Sequence, residues 1–290
     1  MAGAAKVAYL GPKGTFSEEA LLATVREEAV EPVEAATIYE AVIAVQQGEL
    51  PYALVPIENS LEGPVTVTLD TLAGEAAEVR IIAETVLPIR HCLLAKEVLP
   101  LDRYRLVLSH PQAAGQCSGF LRSRLPGAAV RHRASTAEAV REVAGLADRE
   151  VAAIGNRRAA ELYGVQVVAE GIEDGEFNET RFVWLARGDL KDPPPWRNPP
   201  AGDAPRKTSV VFWGAGAERP GWLVSCLLEF ANRGINLTKI ESRPRKERLG
   251  HYMFFADLEG GTEEPAVQDA LAGLGSHCEE VKVLGSYPRV

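Results

Sequence analysis

The chain has 290 residues, of which 46% are hydrophobic, and it carries a formal net charge of −9 at pH 7. That length is sufficient for two domains, each with its own core. The acidic balance argues against a nucleic-acid partner, and no apolar stretch suits a signal peptide or a membrane span. We therefore expect a cytoplasmic protein with no nucleic-acid or membrane partner. The densest basic run, residues 243–248, includes Glu247 and is typical of a solvated hairpin loop.

The cysteines do not indicate a metal site or a disulfide framework. Cys92, Cys117, Cys226 and Cys278 form no C-x-x-C pair and have no histidine at metal-ligand spacing. Buried or half-buried thiols in a reducing compartment are the better interpretation.

A proline-rich segment divides the chain into two parts of unequal size. The high density of prolines in residues 192–205 excludes both a helix and a central strand, which predicts an extended, semi-rigid spacer. We place the boundaries at residues 1–190, 191–206 for the linker, and 207–290.

The N-terminal part alternates short apolar strands with helices. Thr15 and Glu18 have capping-box spacing, which predicts a helix over residues 16–28, and Thr37 and Glu40 repeat the signature for a helix ending at Gly48. Further strands are predicted at residues 7–10, 52–55, 81–95 with a break at Pro88, 106–108, 151–154, 165–168 and 182–185. Further helices are predicted over residues 111–125 and from Ser135 to about residue 146. This alternation is typical of an α/β domain with mostly parallel sheets, in one sheet or two lobes.

The C-terminal part has a different order of elements. Strand, helix, strand, strand, helix and strand patterns follow one another between residues 208 and 284. The order βαββαβ in about eighty residues is the ferredoxin-like arrangement.

Polar residues follow the predicted strands at several points, where open α/β sheets place their ligands. Residues 11–15 join a strand to a helix N-terminus, where free N–H groups favour an anion, although a plain turn is the simpler explanation. Glu58, Asn59 and Ser60 offer an acid or base and hydrogen-bond donors, or else a capped turn.

Two further segments could complete a site. Ser109 and Gln112 open the helix that Pro111 begins, although Ser109 could be only a helix cap and His110 only structural. Thr180 and Arg181 begin a strand in the stretch Asn178–Phe182. Arg181 could hold a substrate carboxylate in bidentate fashion or form a structural bridge to Glu58 or Glu179.

These segments, in this order and ahead of a ferredoxin-like tail, resemble the bacterial monofunctional prephenate dehydratases over nearly the whole chain. The matching pieces are residues 11–17, 56–60, 110–113 and 180–182, with residues 234–237 and 241–244 similar to the regulatory ACT domain of that family. The resemblance implies a catalytic domain of two α/β lobes, like a periplasmic binding protein, with the site in the cleft. It implies a lyase that converts prephenate to phenylpyruvate for phenylalanine synthesis without a metal or organic cofactor.

The resemblance also assigns roles to residues. Thr180 is the key catalytic residue, and Glu58, Asn59 and Gln112 orient the substrate or supply the proton. The substrate-binding residues that it implies are Thr15, Ser60, Ser109, Arg181 and Phe182.

The ACT-like part implies allosteric binding of phenylalanine between two copies of the domain, hence a homodimer or homotetramer. The regulatory residues implied are Gly221, Trp222, Leu223, Asn236, Leu237, Glu241 and Ser242. Trp222 stands where the family has alanine, so it would crowd the effector pocket or cover it from outside.

Three alternatives remain open on the sequence alone. Arogenate dehydratase activity differs by one amino group in the substrate. A non-aromatising prephenate decarboxylase shares the scaffold, but intact Thr180 counts against it. A non-enzymatic amino-acid-sensing binding protein has a similar two-lobed fold.

Overall fold

The first lobe is formed by the N-terminal elements of the chain, and one strand from later in the sequence completes its sheet. The computed structural model describes residues 4–175, 177–190, 192–214 and 219–289. The first lobe comprises β1 Ala5–Leu10, α1 Phe16–Thr24, β2 Val30–Ala35, α2 Ile38–Gln46, β3 Tyr52–Asn59, β4 Gly63–Pro64, α3 Thr66–Ala73 and β5 Val79–Pro88.

The second lobe occupies the middle of the chain. It comprises β6 Cys92–Ala95, β7 Leu106–Ser109, α4 Pro111–Gln116, α5 Ser118–Arg124, β8 Ala129–His132, α6 Thr136–Gly145, β9 Val151–Gly155, α7 Arg157–Tyr163 and β10 Gln166–Glu170. Its sheet has the order β10-β6-β9-β7-β8, in which β7, β8 and β9 are parallel and β6 is antiparallel to β9.

The chain then returns to the first lobe as β11 Glu179–Arg187. The first sheet therefore has the order β2-β1-β3-β11-β5, with β1, β2 and β3 parallel and β11 antiparallel to both of its neighbours. Residues 182–186 of β11 are all buried, as expected for a central strand covered on both faces. The chain crosses between the lobes twice, once between β5 and β6 and once between β10 and β11, so two segments connect the lobes and a cleft lies between them.

The C-terminal domain confirms the predicted ferredoxin-like order. It comprises β12 Arg206–Trp213, α8 Trp222–Ala231, β13 Leu237–Pro244, β14 Tyr252–Glu259, α9 Pro265–His277 and β15 Glu280–Pro288. The antiparallel sheet has the order β13-β14-β12-β15. One face carries α8 and α9 over a core that includes Phe212, Cys226 and Phe230.

The other face of that sheet packs on the first lobe. Val211, Phe255 and Tyr287 join one hydrophobic core with Ile81 and Val183 of the first sheet, on the face that also carries α2 and α3. Helix α1 packs on the opposite face of the first sheet. A Cβ atom at Gly285 would collide with the backbone carbonyl oxygen of Ile81, so only glycine permits this approach of the two domains.

The proline-rich segment lies against the first lobe instead of spanning open solvent. Trp196 makes an edge contact with Trp184 at a centroid distance of 4.8 Å, and Arg197 donates a backbone hydrogen bond to Thr24. Within the described residues, no helix has the length and apolar character needed to cross a membrane.

Candidate functional site

A cavity of about 280 Å3 lies in the cleft between the two lobes. The first lobe contributes the start of α1, the end of β3 and the start of β11, and the second lobe contributes the starts of α4 and α6. The lining residues are Thr15, Phe16, Ser17, Pro56, Asn59, Val65, Ile89, His91, His110, Gln112, Ala113, Gln116, Ala134, Ser135, Thr136, Thr180 and Phe182. Among the described residues, no group of three or more His, Cys, Asp or Glu side chains could hold a metal ion.

Two helix N-termini from different lobes point into this cavity. Thr15 caps α1 by accepting a hydrogen bond from the Glu18 backbone N–H, and Ser135 caps α6 by accepting from the Glu138 N–H. The remaining free N–H groups and the helix dipoles give each terminus a positive potential. The cleft can therefore receive two carboxylates, one near each lobe.

A β-bulge determines which residues of β3 reach the cleft. The register with β11 shifts between Arg181 and Phe182, so that Phe182 pairs with Pro56 whereas Arg181 pairs with Glu58. A bulge redirects side chains that simple alternation would place on the other face. Pro56 and Asn59 consequently line the cleft, while Glu58 faces the C-terminal domain.

The amide of Asn59 has a defined orientation. Its Oδ1 accepts hydrogen bonds from the backbone N–H groups of Leu61 and Glu62, both at 3.0 Å. Because a backbone N–H can only donate, the opposite end of the amide must be Nδ2. This Nδ2 donates to Thr180 Oγ1 at 3.0 Å and to Asn178 Oδ1 at 2.9 Å, and it also contacts the Glu179 carbonyl.

The hydrogen of the Thr180 hydroxyl is consequently available to the cleft. Thr180 Oγ1 accepts from Asn59, and no residue that the structure describes accepts a hydrogen bond from this hydroxyl. The side chain lines the cavity although only 9% of the residue is exposed. Thr180 is therefore arranged as a hydrogen-bond donor towards a bound ligand.

A chain of hydrogen bonds with the same order of donors and acceptors continues from Asn178 to the second lobe. Asn178 Nδ2 donates to Gln116 Oε1 at 2.9 Å, so that oxygen is an acceptor, and His91 Nε2 lies 3.0 Å from it. The hydrogen of a neutral His91 must then be on Nε2, which leaves Nδ1, buried and without a hydrogen-bond partner in the described part of the chain, as a free acceptor. Burial lowers the pKa of His91, although Gln116 and Glu173 oppose the shift, so the ring is neutral at pH 7.

Arg181 and Glu58 do not lie in the cleft, which corrects the expected position of both. The Arg181 guanidinium contacts Glu58, Glu84 and Asp257 at 3.0, 3.1 and 2.8 Å. Burial opposes its charge, but these carboxylates together with Tyr287 raise the pKa of Arg181. The alternative of a structural bridge to Glu58 is therefore the one that the structure contains.

Ser60 and Ser109 are also absent from the cavity lining. Ser60 Oγ donates to the Phe177 carbonyl and accepts from the Glu179 N–H, which holds the segment before β11 in place. Ser109 is fully buried at the end of β7, and the N-cap of α4 is His110 instead. Burial next to His132 lowers the pKa of His110.

The residues expected to bind an effector lie at the outer edge of the C-terminal domain, except Trp222. This side chain is buried against Phe212 and Phe254, and its Nε1 donates to the His277 carbonyl at 2.7 Å. Gly221 caps α8 with φ +84°, and Ser242 is exposed on β13. Leu223, Asn236, Leu237 and Glu241 lie on α8, before β13 and on β13. Trp222 is thus a core residue and does not cover a pocket from outside.

Sequence reasoning missed three of the hydrogen-bonded residues that connect Thr180 to the second lobe, namely Asn178, Gln116 and His91. Asn178 lies at the start of the stretch that contains Thr180, but His91 and Gln116 carry no sequence signal of their own. Gln116 lies one helical turn after Gln112, so the two share a face of α4 once the helix is recognised. His91 lies in the break between β5 and β6, where the chain crosses between the lobes.

The fold and the cleft define a class of protein: a two-lobed α/β protein with a cleft suited to a small anionic molecule, joined to a ferredoxin-like domain. Residues 7–189 match the family described as prephenate dehydratase. The chain belongs to this family.

Individual relatives extend the likeness over the whole chain. It is 42% identical to a prephenate dehydratase of Mycobacteroides abscessus over 98% of this chain and 90% of that protein. A crystal structure of prephenate dehydratase in complex with L-Phe from Arthrobacter aurescens superimposes with a TM-score of 0.85 and 36% identity, covering 98% of this chain and 90% of that one. A structure described as GqqA, a novel type of quorum quenching acylase, gives a TM-score of 0.83 and 28% identity over 98% of both chains.

Proposed function

We propose that the protein is a lyase that converts prephenate to phenylpyruvate by decarboxylating dehydration. In this reaction the bond to one carboxylate breaks and releases carbon dioxide, its electron pair enters the ring, and the ring hydroxyl departs with the pair of its own C–O bond. A proton donated to the departing oxygen makes the leaving group water. Because aromatisation drives the reaction, the main requirement on the enzyme is a donor at the departing oxygen in a site that excludes water.

The observation that carries this proposal is the orientation of the Thr180 hydroxyl. Backbone N–H groups fix the Asn59 amide, the amide donates to Thr180, and the Thr180 hydrogen is left for the ligand. A hydroxyl that accepts one hydrogen bond becomes a stronger donor through polarisation. One such preorganised donor supplies a rate factor of roughly 10²–10³.

The other lining groups fit the charges of the substrate. Prephenate is a dianion, and the N-termini of α1 near Thr15 and of α6 near Ser135 offer one positive region in each lobe. Gln112 lies in the first turn of α4 and can donate from its amide, while Phe182 forms part of an apolar wall. Neither Arg181 nor Glu58 is assigned a substrate contact.

The test uses two substitutions that separate the hydroxyl from the shape of the side chain. Thr180→Val keeps the volume and removes the donor, so kcat should fall by roughly 10²–10³ while KM changes little. Thr180→Ser keeps the hydroxyl and should retain most of the activity. Phenylpyruvate is followed as its enolate at alkaline pH; unchanged turnover in the valine variant would remove the role of Thr180.

The same assay separates the alternatives. Arogenate would yield phenylalanine directly, so its turnover is compared with that of prephenate under identical conditions. A prephenate decarboxylase would release carbon dioxide without forming phenylpyruvate. Ligand binding without any product from wild-type protein would favour a non-enzymatic sensor of amino acids.

An acylase activity is less well supported by the cleft. Ser17 and Ser135 are the serines that line it, and among the described hydrogen bonds neither is joined to a histidine. Activation of a serine nucleophile normally requires such a bond to a base. Acyl-group hydrolysis should therefore be absent when prephenate turnover is present.

Feedback regulation by phenylalanine at the C-terminal domain is part of the proposal. The relative from Arthrobacter aurescens is described in complex with L-Phe. Trp222 is buried in the core of this domain, so it leaves the outer edge formed by α8 and β13 accessible. Added phenylalanine should change both tryptophan fluorescence and activity; no response in either measurement would remove this part.

We also propose a homodimer or homotetramer formed through the C-terminal domains. Val224, Leu228 and Ile240 are exposed apolar residues on α8 and β13. We propose that a second copy covers these residues, because exposed apolar patches mark protein–protein interfaces. Ile240→Glu should shift the mass measured by light scattering towards the monomer. The proposed domain boundaries stay at residues 1–190 for the catalytic part, 191–206 for the linker and 207–290 for the regulatory part. The proposed cytoplasmic location fits a biosynthetic enzyme.

A further inference from the structure

A group of charges, most of them buried, lies where the C-terminal sheet meets the first lobe. Three carboxylates and three cations contact one another there, and we call them the interdomain charge cluster. The first lobe provides Glu58, Glu84 and Arg181, and the C-terminal domain provides Lys207, Lys239 and Asp257. The charges balance, as burial requires.

Asp257 and Arg181 make the central contact of the cluster. Arg181 Nη2 lies 2.8 Å from Asp257 Oδ2, and both side chains are about nine-tenths buried. Asp257 is itself held by the Ser209 hydroxyl, which donates to its Oδ1 at 2.5 Å. Lys207 Nζ contacts Glu84 at 2.7 Å, which attaches a second strand of the C-terminal domain to β5.

This cluster lies directly behind the catalytic pair that the proposed function requires. Arg181 is the residue between Thr180 and Phe182, and Glu58 precedes Asn59. Because neighbouring side chains of a strand point to opposite faces, the cluster holds the backbone of β11 and β3 from the face opposite the cleft. Because Arg181 and Thr180 share a peptide bond, a shift of the Arg181 backbone would be transmitted to Thr180.

We propose that Asp257 of the C-terminal domain, acting through Arg181, is a positioning residue for the Thr180–Asn59 pair. This inference rests on the proposed function, because it assigns Thr180 the role of donor. The C-terminal domain thereby sets the turnover of a site that it does not touch. Arg181 and Glu58 are likewise positioning residues, which accounts for two polar residues of the matching motifs that do not contact the cleft.

The experiment replaces Asp257 by its neutral isostere. In Asp257→Asn we expect kcat to fall on the order of ten- to a hundredfold with KM nearly unchanged, since small displacements of reacting groups cause losses of this size. Asp257→Glu, which keeps the charge, should recover part of the loss. The loss should not add to that of Arg181→Lys, because both substitutions act through one contact.

The matched control is Asp70→Asn. Asp70 on α3 also forms ion pairs across the domain boundary, with Arg243 and Lys246, but neither pair involves β3 or β11. Its kcat should stay within about twofold of wild type if only charges on the catalytic strands position the site. An equal fall in the control would show that any interdomain pair has this effect, and it would overturn the proposal.

A second readout does not depend on activity. Amide hydrogen exchange of the peptide covering residues 178–184 should accelerate in Asp257→Asn and not in Asp70→Asn. If Asp257→Asn does not fold, Ser209→Ala loosens Asp257 without leaving a buried charge unpaired, and a smaller change in the same direction is expected. Unchanged exchange and kcat in a folded variant would refute the inference, whereas a wild-type protein that forms no phenylpyruvate would refute the proposed function alone.

Discussion

Exchanging the Asn59 amide for a carboxylate would reverse the polarity that prepares Thr180. Asn59→Asp is nearly isosteric, and the oxygen that accepts from Leu61 and Glu62 would remain in place. The other oxygen would face Thr180 Oγ1, Asn178 Oδ1 and the Glu179 carbonyl, all of which are acceptors for the amide hydrogens. The Thr180 hydroxyl would then have to donate to residue 59, and its hydrogen would turn away from the cleft.

The size of the effect follows from the hydrogen bonds that the substitution removes. With the Thr180 hydrogen turned away, kcat should fall by roughly 10²–10³, as when an oxyanion donor is removed. Without the amide hydrogen bonds, in a partly exposed position, the free energy of unfolding should be lower by about 2–3 kcal/mol. For a chain of this size that corresponds to a Tm lower by roughly 4–12 °C.

The variant should also acquire an additional pH dependence from its new carboxyl group. The acceptor oxygens that face the new carboxyl group raise its pKa. Its protonated form, which can donate one hydrogen bond, is therefore populated as the pH falls. A raised folded-state pKa means that the loss of stability is greatest at high pH and shrinks towards low pH. The ratio of variant to wild-type kcat should therefore rise on acidification.

The assay is steady-state turnover of prephenate across the pH range in which both proteins stay folded. Asn198→Asp, an exposed position in the linker, controls for the added charge. A variant at residue 59 with wild-type kcat at pH 8, or with a kcat ratio independent of pH, would show that the polarity of this amide does not matter.

Two further predictions concern stability. Burial lowers the pKa of His91, so the protein should lose stability as the pH falls below about 6.5, by at most about 1.4 kcal/mol per pH unit for one proton. His91→Gln should reduce this loss, with a remainder from His110, in urea unfolding at pH 7.5 and 5.5; an identical loss in the variant would contradict the assignment. Gly285→Ala should force the C-terminal sheet away from Ile81, costing about 1–3 kcal/mol and a Tm lower by roughly 2–12 °C. Gly127→Ala has free space around it and serves as control, and equal melting temperatures would refute the close approach.

Local signals in the sequence predicted much of the fold. The capping boxes at Thr15, Thr37 and Ser135 each start an observed helix, because a capping box acts within one turn. The helix expected over residues 111–125 is instead two helices, α4 and α5, joined at Cys117. Helices α3 and α7 were both missed: α3 lacks a side-chain cap, whereas α7, which Asn156 caps, is only 7 residues long.

The candidate site was predictable only in part, for a physical reason. Thr15, Asn59, Gln112, Thr180 and Phe182 line the cleft as expected. The bulge in β3 turned Glu58 away, and a bulge depends on pairing with a strand about 120 residues later. The partner of Arg181 in the C-terminal domain, Asp257, is also remote in sequence, so no local pattern could indicate it.

The interdomain charge cluster limits how this protein can be re-engineered or recombined. Removing the C-terminal domain to abolish the proposed feedback would leave Arg181 and Glu84 without Asp257 and Lys207, and it would uncover an apolar sheet face. A chimera carrying a foreign C-terminal domain would need matching charges at both positions and a glycine at position 285. The two domains therefore form a matched pair, and the proposed response to phenylalanine is better altered by single substitutions on the outer edge of β13.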